Sequence, residues 1–113
     1  MHNKGGAVNE IIWHRKALGV IKSFPVSVKK DLGYLLYRLQ VGETLTMPHS
    51  RLMRTVGKGC FELRVKGDDG TYRVFYMLKM ENKILVFHAF KKKTQKTPQH
   101  EIELAKNNLK DLI

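Results

Sequence analysis

Glu62 and Arg64, then Arg73, then His88 fall on three stretches of alternating polar and apolar residues, and the polar series carries the chemistry. Closely set cations can bind a phosphate and steady the charge that grows on it during transfer, while a carboxylate or imidazole can move a proton. Whether these side chains meet depends on register. Phe61, Leu63 and Val65 alternate with Glu62, Arg64 and Lys66, and Tyr72, Val74, Tyr76 and Leu78 alternate with Arg73, Phe75 and Met77, so both stretches are half-buried strands. Gly67-Asp68-Asp69-Gly70 is turn chemistry; it sets Lys66 opposite Thr71, Arg64 opposite Arg73 and Glu62 opposite Phe75. A turn at Glu81-Asn82 pairs Lys79 with Ile84, which brings His88 beside Phe75 and Phe90 beside Arg73 on a third strand, Ile84 to Phe90.

One face of this meander is therefore expected to collect Glu62, Arg64, Arg73, Phe75, His88 and Phe90, leaving Leu63, Val74, Tyr76 and Phe87 on the core face. Facing arginines repel by up to about 1 kcal/mol and call for a compensating anion, either an outside phosphate or Glu62 bridging them on a solvated surface. Lys91, Lys92 and Lys93 follow at the same end of the sheet, and Phe75 and Phe90 are placed to stack on bases or to cover an apolar patch. On this register Arg73→Ala should abolish function while leaving the fold intact or slightly more stable, since it relieves the facing charges.

Other chemistries lack their signatures. His2, His14, His49, His88 and His100 show neither HExxH nor another close ligand spacing, so no metal is expected and activity should survive chelation. GxSxG, Walker A and GxGxxG motifs are missing. Cys60, the single cysteine, excludes an internal disulfide; a strand lies between it and His88, which speaks against a nucleophilic pair.

The elements that position these residues are few. Val8 to Trp13 reads as a short edge strand and Arg15 to Phe24 as a helix; Val28, Leu32, Leu35, Leu36 and Leu39 mark one face of a second helix ending near Gly42. Glu43 to Gly59 reads as a basic loop carrying Arg51, Arg54 and Lys58. After the meander, Thr97-Pro98 predicts an N-cap, with Ile102, Ala105, Leu109 and Leu112 on the apolar side of a last helix. The order β-α-α-β-β-β-α makes an α+β domain with helices packed on one face of a small antiparallel sheet. Residues 1–8 read as a flexible tail and 9–113 as one domain, a size that suits a single core for a chain of 113 residues with 42% hydrophobic content.

The 21 Lys and Arg against 10 Asp and Glu give a formal charge of +11, a field that draws polyanions, nucleic acid first among them. With no apolar signal core and no run of about 20 apolar residues, the chain is expected in the cytoplasm and away from membranes.

Three ordered blocks resemble a known family. Gly59-Cys60-Phe61-Glu62-Leu63-Arg64-Val65, Thr71-Tyr72-Arg73-Val74-Phe75-Tyr76, and Val86-Phe87-His88-Ala89-Phe90 with the following Lys91 to Pro98 look like the phage-derived HigB-like branch of the RelE/ParE toxin superfamily. The resemblance implies a microbial-RNase-like RelE fold, metal-independent cleavage of mRNA on the ribosome, no cofactor, and a cognate antitoxin of the helix-turn-helix kind. In that reaction the RNA 2′-OH attacks the adjacent phosphate, which needs a proton acceptor, cations and a proton donor. Carried over, Arg64 matches a basic strand position that binds RNA, Arg73 the arginine that contacts the scissile phosphate, and Lys92 the basic position after the last strand. Glu62 stands where RelE has a second strand lysine, and the last helix lacks the tyrosine RelE uses. Glu62 as base and His88 or His100 as donor or acceptor remain open assignments. Arg51, Arg54, Lys58, Lys66, Phe75, Lys91, Lys93 and Lys96 are the expected RNA contacts. The same scaffold also suits a ParE-like inhibitor of DNA gyrase or a non-catalytic RNA-binding module.

Overall fold

The structure, a computed structural model, describes residues 8–94 and 96–113. The expected tail lies outside the described residues except for Val8, whose N–H bonds the Gln40 carbonyl at 2.8 Å. In chain order the elements are β1 (Glu10–Trp13), α1 (Arg15–Lys22), α2 (Val26–Gln40), β2 (Ser50–Leu52), β3 (Cys60–Gly67), β4 (Gly70–Lys79), β5 (Lys83–Lys92) and α3 (Gln99–Lys110). They form the α+β arrangement expected, with one added strand. β2, inside the expected loop, pairs antiparallel to β3 with Arg51 opposite Glu62. Three residues are too few for period two to stand out from a loop rich in Pro, Gly and charge.

The single sheet runs β1-β5-β4-β3-β2. β2 to β5 are antiparallel, and β1 joins β5 in parallel. Helices cover both faces, against the expectation of one. Val28, Leu32, Leu36 and Leu39 of α2 pack on Leu63, Val65, Val74 and Tyr76 on one side. Ile102, Ala105 and Leu109 of α3 pack on Cys60, Phe75, Phe87 and Phe90 on the other. The central strands are accordingly buried almost without interruption, as strands covered on both faces are. At the start of α3, Pro98 is the N-cap, and among the described residues no side chain caps the helix; Thr97, expected to do so, finds no partner there for its Oγ1. No helix among the described residues is long and apolar enough to cross a membrane.

Register at the β3–β4 hairpin is as the turn dictates, with Arg64 facing Arg73 and Glu62 facing Phe75. At β4–β5 the turn is tighter than expected: Glu81 and Asn82 take positive φ (69° and 60°), and Lys79 pairs with Lys83 rather than Ile84. A bulge then inserts one residue between the pairs Tyr76–Val86 and Phe75–His88, and this restores His88 to Phe75 and Phe90 to Arg73. The extra residue is Phe87. It packs on the α3 side, not the core face first assigned to it, and Asn108 Nδ2 donates to its carbonyl at 2.9 Å.

Candidate active site

Period two puts Glu62, Arg64 and Lys66 of β3 on one face, and the register sets Arg73 and Lys92 beside them. Glu62 is 0% exposed and Arg73 only 4%. Arg73 Nη1 donates to Glu62 Oε1 at 2.6 Å, and its Nη2 lies 3.4 Å from Thr71 Oγ1. Arg51 Nη2 stands 3.7 Å and Arg64 Nε 4.0 Å from the same Glu62 oxygen. The facing arginines thus find their compensating anion inside the protein, beneath the surface and not on a solvated face.

One carboxylate does not balance this group. With Lys92, four cations stand around Glu62, a surplus of three positive charges, and three of the four, Arg64, Arg73 and Lys92, line an open cleft of about 400 Å³ together with Thr71 and Lys93. Lys92 is 7% exposed. Burial first, then the charge of Arg73, pushes its ammonium below the usual lysine range. Arg64 shifts the same way for the same two reasons. Such an arrangement can hold an oxyanion, because positive groups are in place before the anion arrives.

Arg64, Arg73, Lys92 and Lys93 therefore meet as expected, and Arg51 joins them through β2. Arg54 and Lys96 line a second cleft of about 500 Å³ with Arg51, and Lys66, two residues beyond Arg64 on β3, is exposed. Thr71, which sequence reasoning passed over, was findable as the residue two before Arg73 on the same face. Lys58 lies in the turn before Cys60, at the start of β3, and does not line the cleft.

Four assignments are corrected. Glu62 has no exposed surface, so it orients Arg73 and does not meet a substrate as a base. Phe75 is 0% exposed and Phe90 is buried with it, edge to face at 5.7 Å under α3; neither can stack on a base. Lys91 belongs to the other face, where its ammonium bonds Asp69 at 2.8 Å and lies over the Tyr72 ring. His88 is buried under α3, its Nε2 2.7 Å from Glu101 Oε1, and burial lowers its pKa although Glu101 opposes the shift. His100 is at the surface, 3.1 Å from the other oxygen of Glu101. Among the described residues no three His, Cys, Asp or Glu side chains gather as a metal ligand set.

Comparison with known proteins adds ancestry to this geometry. Residues 20–110 match the family model described as "Phage derived protein Gp49-like (DUF891)". The fold matches the E. coli toxin RelE, solved in the free state as a mutant with two arginines changed to alanine: TM-score 0.63, 15% identity, covering 96% of this chain and 100% of that one. No protein of curated function matches the sequence. The RelE likeness, at that identity, is one of fold, while the family match spans most of the sequence: the chain belongs to the phage-derived Gp49-like family, a RelE-like toxin family.

Proposed function

We propose that this chain is the toxin of a type II toxin–antitoxin pair and an endoribonuclease that cuts messenger RNA on the ribosome in the cytoplasm, without a metal. The observation that carries this reading is the surplus of cations around one fully buried carboxylate at an open cleft. Arg64 and Lys93, at the surface, draw in the scissile phosphate. Arg73, held rigid by Glu62 and Thr71, and Lys92 beside it stabilise the charge that grows as the 2′-oxygen bonds phosphorus. The bond to the 5′-oxygen then breaks, leaving a 2′,3′-cyclic phosphate and a 5′-hydroxyl. Lys92, its pKa lowered, gives the 5′-oxygen its proton. Among the described residues lining the cleft there is no carboxylate or imidazole, so the 2′-OH proton passes to solvent or to a group of the ribosome. That gap is our physical reason for tying cleavage to the ribosome. The formal charge of +11 suits an acidic segment of an antitoxin, here a helix-turn-helix protein.

Lys92→Met is the test. Lys92 makes no ion pair within 4.0 Å among the described residues, so its removal strands no buried carboxylate. Cutting of translated mRNA, mapped at 5′ ends with purified ribosomes, should fall about a hundred- to a thousandfold, the loss typical of one transition-state donor, with the melting temperature held or raised. Chelation should leave wild-type cutting unchanged once ribosome integrity is controlled. Intact RNA together with a DNA-damage response would instead indicate gyrase as the target.

A further inference from the structure

β2 pairs with β3 only from Ser50 opposite Leu63 to Leu52 opposite Phe61, and the last bond between them runs from Arg64 N–H to the His49 carbonyl at 2.9 Å. Beyond that point no strand among the described residues pairs with this edge of β3. Residues of an antiparallel strand send their N–H and C=O outward at every second position, so the alternation that turns Arg64 N–H to His49 turns both groups of Lys66 into the open. Two cavities of about 260 and 340 Å³ adjoin along this edge and share His49, Arg64, Val65 and Lys66. One reaches Tyr34 and Arg38 of α2; the other reaches Thr71, which with Arg64 also lines the catalytic cleft. A groove thus leads from the cleft around the sheet edge to α2.

Its walls have a particular chemistry. Tyr34 is 62% exposed, a large ring left in solvent beside cations. The Arg38 guanidinium lies 5.8 Å from the centre of that ring and is held by Glu43 at 2.8 Å, so one flat group is already set against another. Asp31 and His49 add an acceptor and a group that both donates and accepts, the Lys66 backbone adds a further donor and acceptor, and Leu35 and Val65 supply apolar surface. A ligand matching this is flat, bears hydrogen-bonding edges and is joined to an anion lying toward Arg64.

We propose that this groove is a base-binding subsite, which takes the unpaired base of a nucleotide flanking the phosphate that is cut and so sets where the strand is cleaved. The proposal rests on the ribonuclease reading above, but its test is one of binding and does not depend on cleavage. The probe is a fluorescent six-nucleotide 2′-O-methyl RNA, which cannot be cut, alongside versions with one abasic position. Tyr34→Ala should weaken binding about five- to a hundredfold, the range for losing one base stack, and the abasic penalty found at one position with wild type should vanish in the variant. Tyr34→Phe keeps the ring and should bind as wild type. Tyr37→Ala, on the same helix outside the groove, should also do so. Unchanged binding by Tyr34→Ala, or an equal abasic penalty in wild type and variant, overturns the subsite. Loss of antitoxin binding by Tyr34→Ala with RNA binding intact overturns it too and makes the groove a protein-docking face. Full cleavage by Lys92→Met refutes the active-site reading alone, so the two failures are distinguishable.

Discussion

Glu62 and Arg73 show how burial changes what a substitution tests. Viewed as two facing arginines, Arg73→Ala relieves repulsion; viewed in the fold, it leaves the Glu62 carboxylate with no exposed surface and without its 2.6 Å partner. Breaking a buried pair from one side costs about 3–5 kcal/mol, against about 1 kcal/mol from relieved repulsion, so the first effect wins. We expect Arg73→Ala to lower unfolding stability by roughly that 3–5 kcal/mol in urea titrations. The double variant Glu62→Leu/Arg73→Met should recover most of the loss, because a well-packed apolar pair often replaces a buried ion pair at no net cost. It should still fail to cut RNA. Recovery of cutting in that variant would refute a role for Arg73 in charge stabilisation, and this is why Lys92, with no ion-pair partner to strand, is the better probe of the chemistry.

The element that most changes the site is α3. It seals the second face of the sheet over Phe75 and Phe90, and polar bonds fasten it at three points: Glu101 to His88 at 2.7 Å, Asn108 to the Phe87 carbonyl at 2.9 Å and Asp111 to His14 at 2.8 Å. The middle bond occupies the carbonyl that the β5 bulge frees, so helix and bulge support one another. His88 gives this packing a pH dependence. Its folded pKa lies below the ordinary 6.5, chiefly through burial. The folded state therefore resists a proton that the unfolded chain accepts. Stability from this source is fully present above about pH 6.5 and is lost as pH falls through the lowered folded value. Urea midpoints should drop between pH 7.5 and pH 5.5, and His88→Gln, which keeps a donor toward Glu101 but cannot titrate, should flatten the difference. An identical drop in the variant would assign the effect elsewhere.

Within a formal charge of +11, seven of the 21 Lys and Arg form one basic face, from Arg54 and Lys96 through Arg51, Arg64 and Arg73 to Lys92 and Lys93. Such a face binds RNA by releasing condensed counterions, so the affinity for single-stranded RNA should fall steeply and linearly on a log–log plot of salt, with a slope of about −0.7 per phosphate neutralised. Neutralising Arg54 and Lys96 together, both exposed, should reduce the slope while leaving the melting temperature unchanged; an unaltered slope would take that part of the face out of the RNA path. The charge, the hairpin register and the pairing of Arg64 with Arg73 were legible in the sequence, because a Gly67 to Gly70 turn and a strict period of two leave the backbone little choice. So were the α2 and α3 faces, whose apolar residues recur at helical spacing. His88 also reached its expected neighbour, though by a tighter turn and a compensating bulge that no local pattern announced. What covers each face was decided by tertiary structure alone. Alternation states that Glu62, Phe75 and His88 point away from Leu63 and Tyr76, but not whether water, RNA or a helix lies there. Only the docking of α3 on Phe75 and the pairing of β2 with β3 make this face a buried carboxylate ringed by cations, with Arg64, Arg73 and Lys92 turned to one cleft.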